Sequence, residues 1–80
     1  MQLHKFYFNV RVLADNNNWR IGQALFNELS KVWPECAEKI RGTAMDPFFS
    51  TSSTDVAYVR AMKFIENAWH TDLSSPFYRN

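Results

Sequence analysis

Leu3-His4-Lys5-Phe6-Tyr7-Phe8-Asn9-Val10-Arg11-Val12-Leu13 is the stretch on which the fold turns. Read with period two, His4, Phe6, Phe8, Val10 and Val12 share one face, and Lys5, Tyr7, Asn9 and Arg11 share the other, as in a half-buried β-strand. Read with the helical period, Leu3, Phe6, Tyr7, Val10 and Ala14 fall near i, i+3, i+4 and i+7 on one stripe. The density of aromatic and β-branched side chains favours the strand, because such residues pack well on a pleated surface. The expectation is therefore a strand over residues 3–13. Everything downstream reads as helix, so the expected fold class is α+β: one N-terminal strand followed by a long, a short and a long helix.

Asp15-Asn16-Asn17-Asn18 follows as a turn cluster whose side chains can cap a helix. From there the period is helical over 18–33. Ile21, Leu25, Leu29 and Val32 are spaced four, four and three, Ala24 widens the stripe, and Arg20, Gln23, Asn27, Glu28 and Lys31 face water. Pro34 disfavours helical geometry at Trp33 but suits the first turn of a new helix, so a second, short helix spans 34–41. Cys36, Ala37 and Ile40 are its inward face, and Gly42 stops it where left-handed geometry is cheap. Residues 43–54 form a loop in which Phe48 and Phe49 are expected as anchors tucked into the core. A third helix spans 55–69, capped by Ser53 or Thr54, with Tyr58, Met62, Ile65 and Trp69 on one ridge and Ala57, Ala61, Phe64 and Ala68 on the next. Residues 70–80 form a partly ordered tail with Phe77 or Tyr78 packed on the body.

A lone strand leaves backbone donors and acceptors without partners. The loop or tail can supply a second strand, or the strand can pair with its twin in a homodimer. The second solution would also cover aromatic surface that a short chain has difficulty hiding.

The chain has 80 residues, so it forms one small domain at most. Its hydrophobic fraction is 46%, with seven Phe, three Tyr and three Trp, a composition that excludes a disordered chain. The single Cys36 cannot close an intrachain disulfide, and two distant His residues cannot complete a zinc site with it. No metal and no cofactor are expected. Met1 to Lys5 lacks the apolar run of a signal peptide, no stretch has transmembrane length, and the expected setting is cytoplasmic, without a membrane partner. The net charge of +1 gives no electrostatic footprint for a polyanion.

Catalytic patterns are missing. His70-Thr71-Asp72 sets an imidazole near a carboxylate but reads as a helix C-terminus with a favourable His. The Ser50 to Thr54 hydroxyl run lacks the glycine-framed turn of a serine hydrolase, and Arg41-Gly42-Thr43 lacks the spacing of a phosphate loop. An enzyme is not expected. Lys5, Tyr7, Arg11, Trp19 and Arg20 instead combine rings and cations of the kind that anchor interfaces, and they are the candidate binding surface. On a strand dimer, Lys5, Tyr7, Asn9 and Arg11 would form a two-fold face, which makes a nucleic-acid-binding dimer the alternative. Gly42, Asp46, Pro47 and Phe48 are the candidate structural bracket, with Asp46 turning the loop and Phe48 anchoring the second helix to the third.

Ile21-Gly22-Gln23-Ala24-Leu25-Phe26-Asn27, Ile40-Arg41-Gly42-Thr43 and Asp46-Pro47-Phe48, ahead of a Trp-ended helix, together resemble a class of small proteins encoded by bacteriophages and prophages. The resemblance covers roughly residues 21–69 and brings no catalytic residue with it. The aromatic N-terminal stretch and the long Ser/Thr loop depart from the commonest short form. The resemblance implies a bacterial cytoplasm as the setting and a non-enzymatic accessory protein that binds a host or phage macromolecule, for instance as an inhibitor. A component of the phage particle or of its assembly is the further alternative.

Overall fold

The computed structural model describes residues 1–79, and among them the secondary structure is entirely helical. Helix α1 spans Leu3–Asn17, α2 Ile21–Val32, α3 Pro34–Ile40 and α4 Val56–Trp69, and a 3₁₀ turn covers Pro76–Tyr78. The expected N-terminal strand is therefore corrected to a helix, and the α+β class to all-α. Phe6 and Val10 are buried while Phe8, which the alternating pattern placed beside them, is 60% exposed. Burial thus follows i, i+4 and not i, i+2. A helix satisfies its own backbone, so the argument for strand pairing across a homodimer or with the loop or tail falls with the strand.

The Asn-rich cluster ends α1 instead of starting α2. Asn18 takes left-handed geometry at φ 54°, ψ 41°, a conformation that Asn tolerates better than most residues. The Trp19 N–H donates back to the Ala14 carbonyl at 3.0 Å, and Asn17 Nδ2 donates to the Leu13 carbonyl at 3.0 Å. Both bonds satisfy carbonyls that a helix end leaves orphaned.

Helix α2 packs on both α1 and α3 and forms the centre of the fold. Its buried face is wider than the stripe read from sequence. Ala24, Leu25 and Leu29 are covered as the period requires, but so are Phe26 and Glu28. Glu28, expected in water, is 3% exposed because α1 lies over it, and its Oε2 accepts from Asn9 Nδ2 at 3.2 Å. At Trp33 the chain leaves helical geometry ahead of Pro34, and α3 then buries Cys36, Ala37 and Ile40. Gly42 follows at φ +71°.

Helix α4 closes the core with Ala61, Ile65 and Trp69. Trp69 meets Phe6 of α1 at 5.4 Å between ring centroids and Trp33 at 5.9 Å edge-on, so it bridges rings from two other parts of the chain. The tail is held against this centre. Ser75 and Pro76 are buried, Trp33 Nε1 donates to Ser74 Oγ at 2.9 Å, and Arg79 donates to the Val32 carbonyl at 2.8 Å. Phe77 packs edge-on against His70 at 4.5 Å, and Asp72 accepts from the Ser74 N–H and hydroxyl, not from His70. Those two donors hold the Asp72 carboxyl below its ordinary pKa.

Candidate functional site

Between α1, the start of α2, the hydroxyl loop and α4 lies an open cleft of about 720 Å³. Helical geometry sets Tyr7 and Arg11 one turn apart on α1, and the tight Asn18 turn brings Trp19 and Arg20 to the same side. Tyr58 and Met62 of α4 form the opposite wall, and Thr51 to Ser53 form part of the rim. Four of the five binding residues expected from sequence thus line one concavity. The fifth, Lys5, lies elsewhere on α1, its Nζ 5.5 Å from the exposed Phe8 ring.

The cleft's cations are unneutralised. Among the described residues the ion pairs within 4.0 Å are Lys39–Asp72, Arg41–Glu38 and Arg79–Glu35, which leaves Arg11 and Arg20 without a carboxylate partner. Asp15 is the one carboxylate in the lining. Arg20 is fixed all the same: its Nε donates to the Phe48 carbonyl at 3.3 Å, and its guanidinium lies 5.3 Å from the ring centroids of both Phe48 and Phe49. These two rings line a second groove of about 380 Å³, in which Arg41 lies over Phe26 at 4.9 Å. Arg20 therefore stands on the ridge between the two concavities.

The loop that carries Phe48 and Phe49 is seated on α2 by backbone contact. The Gly22 N–H donates to the Ser50 carbonyl at 3.0 Å, which satisfies one of the orphan donors at the start of α2. A Cβ at Gly22 would lie 1.7 Å from the Pro47 carbonyl oxygen, so only glycine lets the loop come this close. Asp46 holds the loop from the other side. Its Oδ2 accepts from the Gly42 N–H at 2.7 Å and its Oδ1 from the Phe48 N–H at 3.1 Å. Pro47 is buried, whereas Phe48 is half-buried and meets Phe26 of α2 edge-on at 6.2 Å. Its anchor is thus α2, not the pair of helices on either side of the loop. The expectation that both rings are tucked in is corrected for Phe49, which is 80% exposed. Successive residues in a tight turn point to different sides, and the inner place is taken by Phe48.

The expected cap of the last helix also moves. Asp55 is the N-cap residue, and its Oδ2 accepts from the N–H groups of Thr51, at 2.9 Å, and Ser52, at 3.3 Å, so it shapes the rim of the cleft. Sequence reasoning missed Tyr58, Met62 and Thr51 to Ser53 as cleft residues, and Phe26 and Arg41 as groove residues. The shared ridge of Tyr58 and Met62 was visible, but which half of it the core would leave uncovered was not.

Tyr7, Tyr58 and Cys36 are all shifted toward their protonated forms. Burial pushes the Tyr7 phenol well above its ordinary value, aided by its 2.8 Å hydrogen bond to Glu66 and the charge of that carboxylate. Burial also raises Tyr58, with Arg11 pulling against it. Cys36, buried under α3, is pushed up to about 11. All three stay protonated at neutral pH, which suits hydrogen bonding and packing and opposes nucleophilic use. Among the described residues no cluster of three His, Cys, Asp or Glu is placed to hold a metal, and no helix is long and apolar enough to cross a membrane. Guanidinium donors, stacked rings and hydroxyls line the two concavities.

Comparison with known proteins returns nothing significant: no family model, no curated protein and no solved structure matches the chain.

Proposed function

We propose that this chain is a non-enzymatic interaction module that binds another macromolecule through the ridge formed by Trp19, Arg20, Phe48 and Phe49. One observation carries the reading: Phe49 is 80% exposed, yet it is held in place by Phe48, edge-on at 5.1 Å, and by the Arg20 guanidinium. An exposed ring on a fixed support loses little freedom when a partner covers it, and Trp, Tyr and Arg are the residues that most often dominate interface energies. The resemblance to phage-encoded proteins supports a host protein of the bacterial cytoplasm as the partner, bound and modulated by occupation of its surface. Nucleic acid is the weaker alternative, because the two-fold strand face that favoured it is absent from the helical α1 and the net charge is only +1.

The test is a pull-down from bacterial lysate with the tagged chain, with and without nuclease, beside Phe49→Ala. The reading expects a stoichiometric protein that survives nuclease and is lost with Phe49→Ala. Recovery that vanishes with nuclease would transfer the function to nucleic acid. An empty pull-down together with rings or higher assemblies of the chain itself would favour a particle component.

A further inference from the structure

We infer that the cleft between α1 and the hydroxyl loop receives an acidic segment of the partner protein, with Arg11 and Arg20 gripping carboxylates and Trp19 and Met62 covering the apolar side chain between them. This rests on the interaction-module reading and specifies the chemistry of the partner. Four observations lead to it. Arg11 and Arg20 line the same cleft, and neither has a carboxylate within 4.0 Å among the described residues; Lys5, Lys31, Arg60 and Lys63 are equally without one, but they do not line the cleft. Arg11 makes no side-chain hydrogen bond among those described, whereas Arg20 spends its Nε on the Phe48 carbonyl and keeps its terminal NH2 groups as donors. Guanidinium donors match carboxylates, and a charge-assisted pair gains most where one side is partly shielded from water. The cleft volume of about 720 Å³ has room for a side chain or a few residues of peptide. Asp15, the one acid in the lining, opposes a continuous phosphate backbone but tolerates separate carboxylates placed away from it.

Arg20 connects this cleft to the exposed ridge, since the same guanidinium stacks on Phe48 and Phe49. A segment lying along Arg11, Trp19 and Arg20 would run directly onto Phe49. Acid recognition and aromatic anchoring are then two parts of one binding path. Because Arg11 is outside the Phe49 ridge, it separates the two.

The experiment is fluorescence anisotropy with the intact chain and three probes: a short labelled peptide alternating Glu with Leu and Phe, the same peptide with Gln at each Glu, and a labelled oligothymidylate. The acidic peptide is expected to bind saturably, and the Gln peptide at least about tenfold more weakly, the ratio that loss of one charge-assisted hydrogen bond produces. Arg11→Gln should reduce that preference several-fold, leaving the part that Arg20 supplies, while Arg11→Lys keeps more of it. Arg11 is exposed and makes no hydrogen bond among those described, so both variants should melt like the parent chain. Equal binding of the two peptides overturns the inference, as does a preference for the oligothymidylate, an acid preference undiminished by Arg11→Gln, or failure of the acidic peptide to bind. If the Phe49-dependent pull-down still succeeds in any of those cases, only the acidic partner is lost. If the pull-down fails, the module reading falls by itself.

Discussion

Two sets of three rings divide the work of this small helical protein. Phe6, Trp33 and Trp69 are 0%, 1% and 0% exposed, and Trp69 of α4 meets both Phe6 of α1 and Trp33 at the α2–α3 junction. Trp19 and Phe48 are half-buried and Phe49 is exposed, and Arg20 is stacked on the last two. The first set stabilises by leaving water, and each ring removes a large apolar area. The second set is held by the backbone: Gly22 against Pro47 and Ser50, and Asp46 against Gly42 and Phe48. On the proposed reading stability and recognition are separable, and substitutions in the two sets should have different signatures.

The largest effect is expected in the buried set. Trp69→Ala should lower unfolding free energy by about 3–5 kcal/mol, measured by denaturant titration, because the truncation opens a cavity beside Phe6 and Trp33. A loss as small as that of a surface change would mean that the three rings do not form the core. Next comes the seat of the second set. Gly22→Ala should cost about 1–3 kcal/mol, since its Cβ collides with a backbone oxygen that has to move. It should also weaken partner binding, because the displaced loop carries Phe48 and Phe49. Gly42→Ala isolates the conformational part of the same bracket. Nothing lies within 4 Å of an added Cβ, so the expected cost of about 1–2 kcal/mol comes from φ +71° alone and should leave binding nearly intact.

A pH effect distinguishes the buried set by titration. Burial raises Cys36 from its ordinary 9.0 to about 11, so the folded state holds the thiol proton more tightly than the unfolded state. The corresponding stability is fully present below pH 9 and is lost as pH rises through about 11. Thermal unfolding scanned across that window should show a falling stability, with Cys36→Ala shallower than the parent chain. Equal slopes would remove Cys36 from the alkaline response.

Much of the helical frame was legible in the sequence. The four-four-three spacing of Ile21, Leu25, Leu29 and Val32, the stop before Pro34 and the left-handed Gly42 are local signals, and local physics decides them. Residues 3–13 misled because Phe6 and Val10 belong to both periods. Tyr7 and Phe8 distinguish them, and their places depend on what packs against α1. The stripe continuing to Ala14 and the length of the run, well beyond an ordinary strand, pointed to the helix. The Asn cluster was ambiguous for a similar reason, since Asn serves both at the start of a helix and in the left-handed residue that ends one. The residues that meet at the cleft were partly legible: Tyr7 and Arg11 keep one side under the helical period, and Trp19 and Arg20 lie next to each other in the chain. Tyr58, Met62 and the hydroxyl loop come from distant sequence, as does the burial of Glu28 beneath α1, and only the packing of the helices brings them in.

On the proposed reading the exposed ring on its arginine support serves binding and not folding. Phe49→Ala tests it most directly, with thermal unfolding and partner capture from lysate measured on the same sample. The account predicts a stability within about 0.5 kcal/mol of the parent chain, as for surface substitutions generally, and loss of the captured protein. A variant that melts far below the parent, or that captures the same protein undiminished, would contradict it.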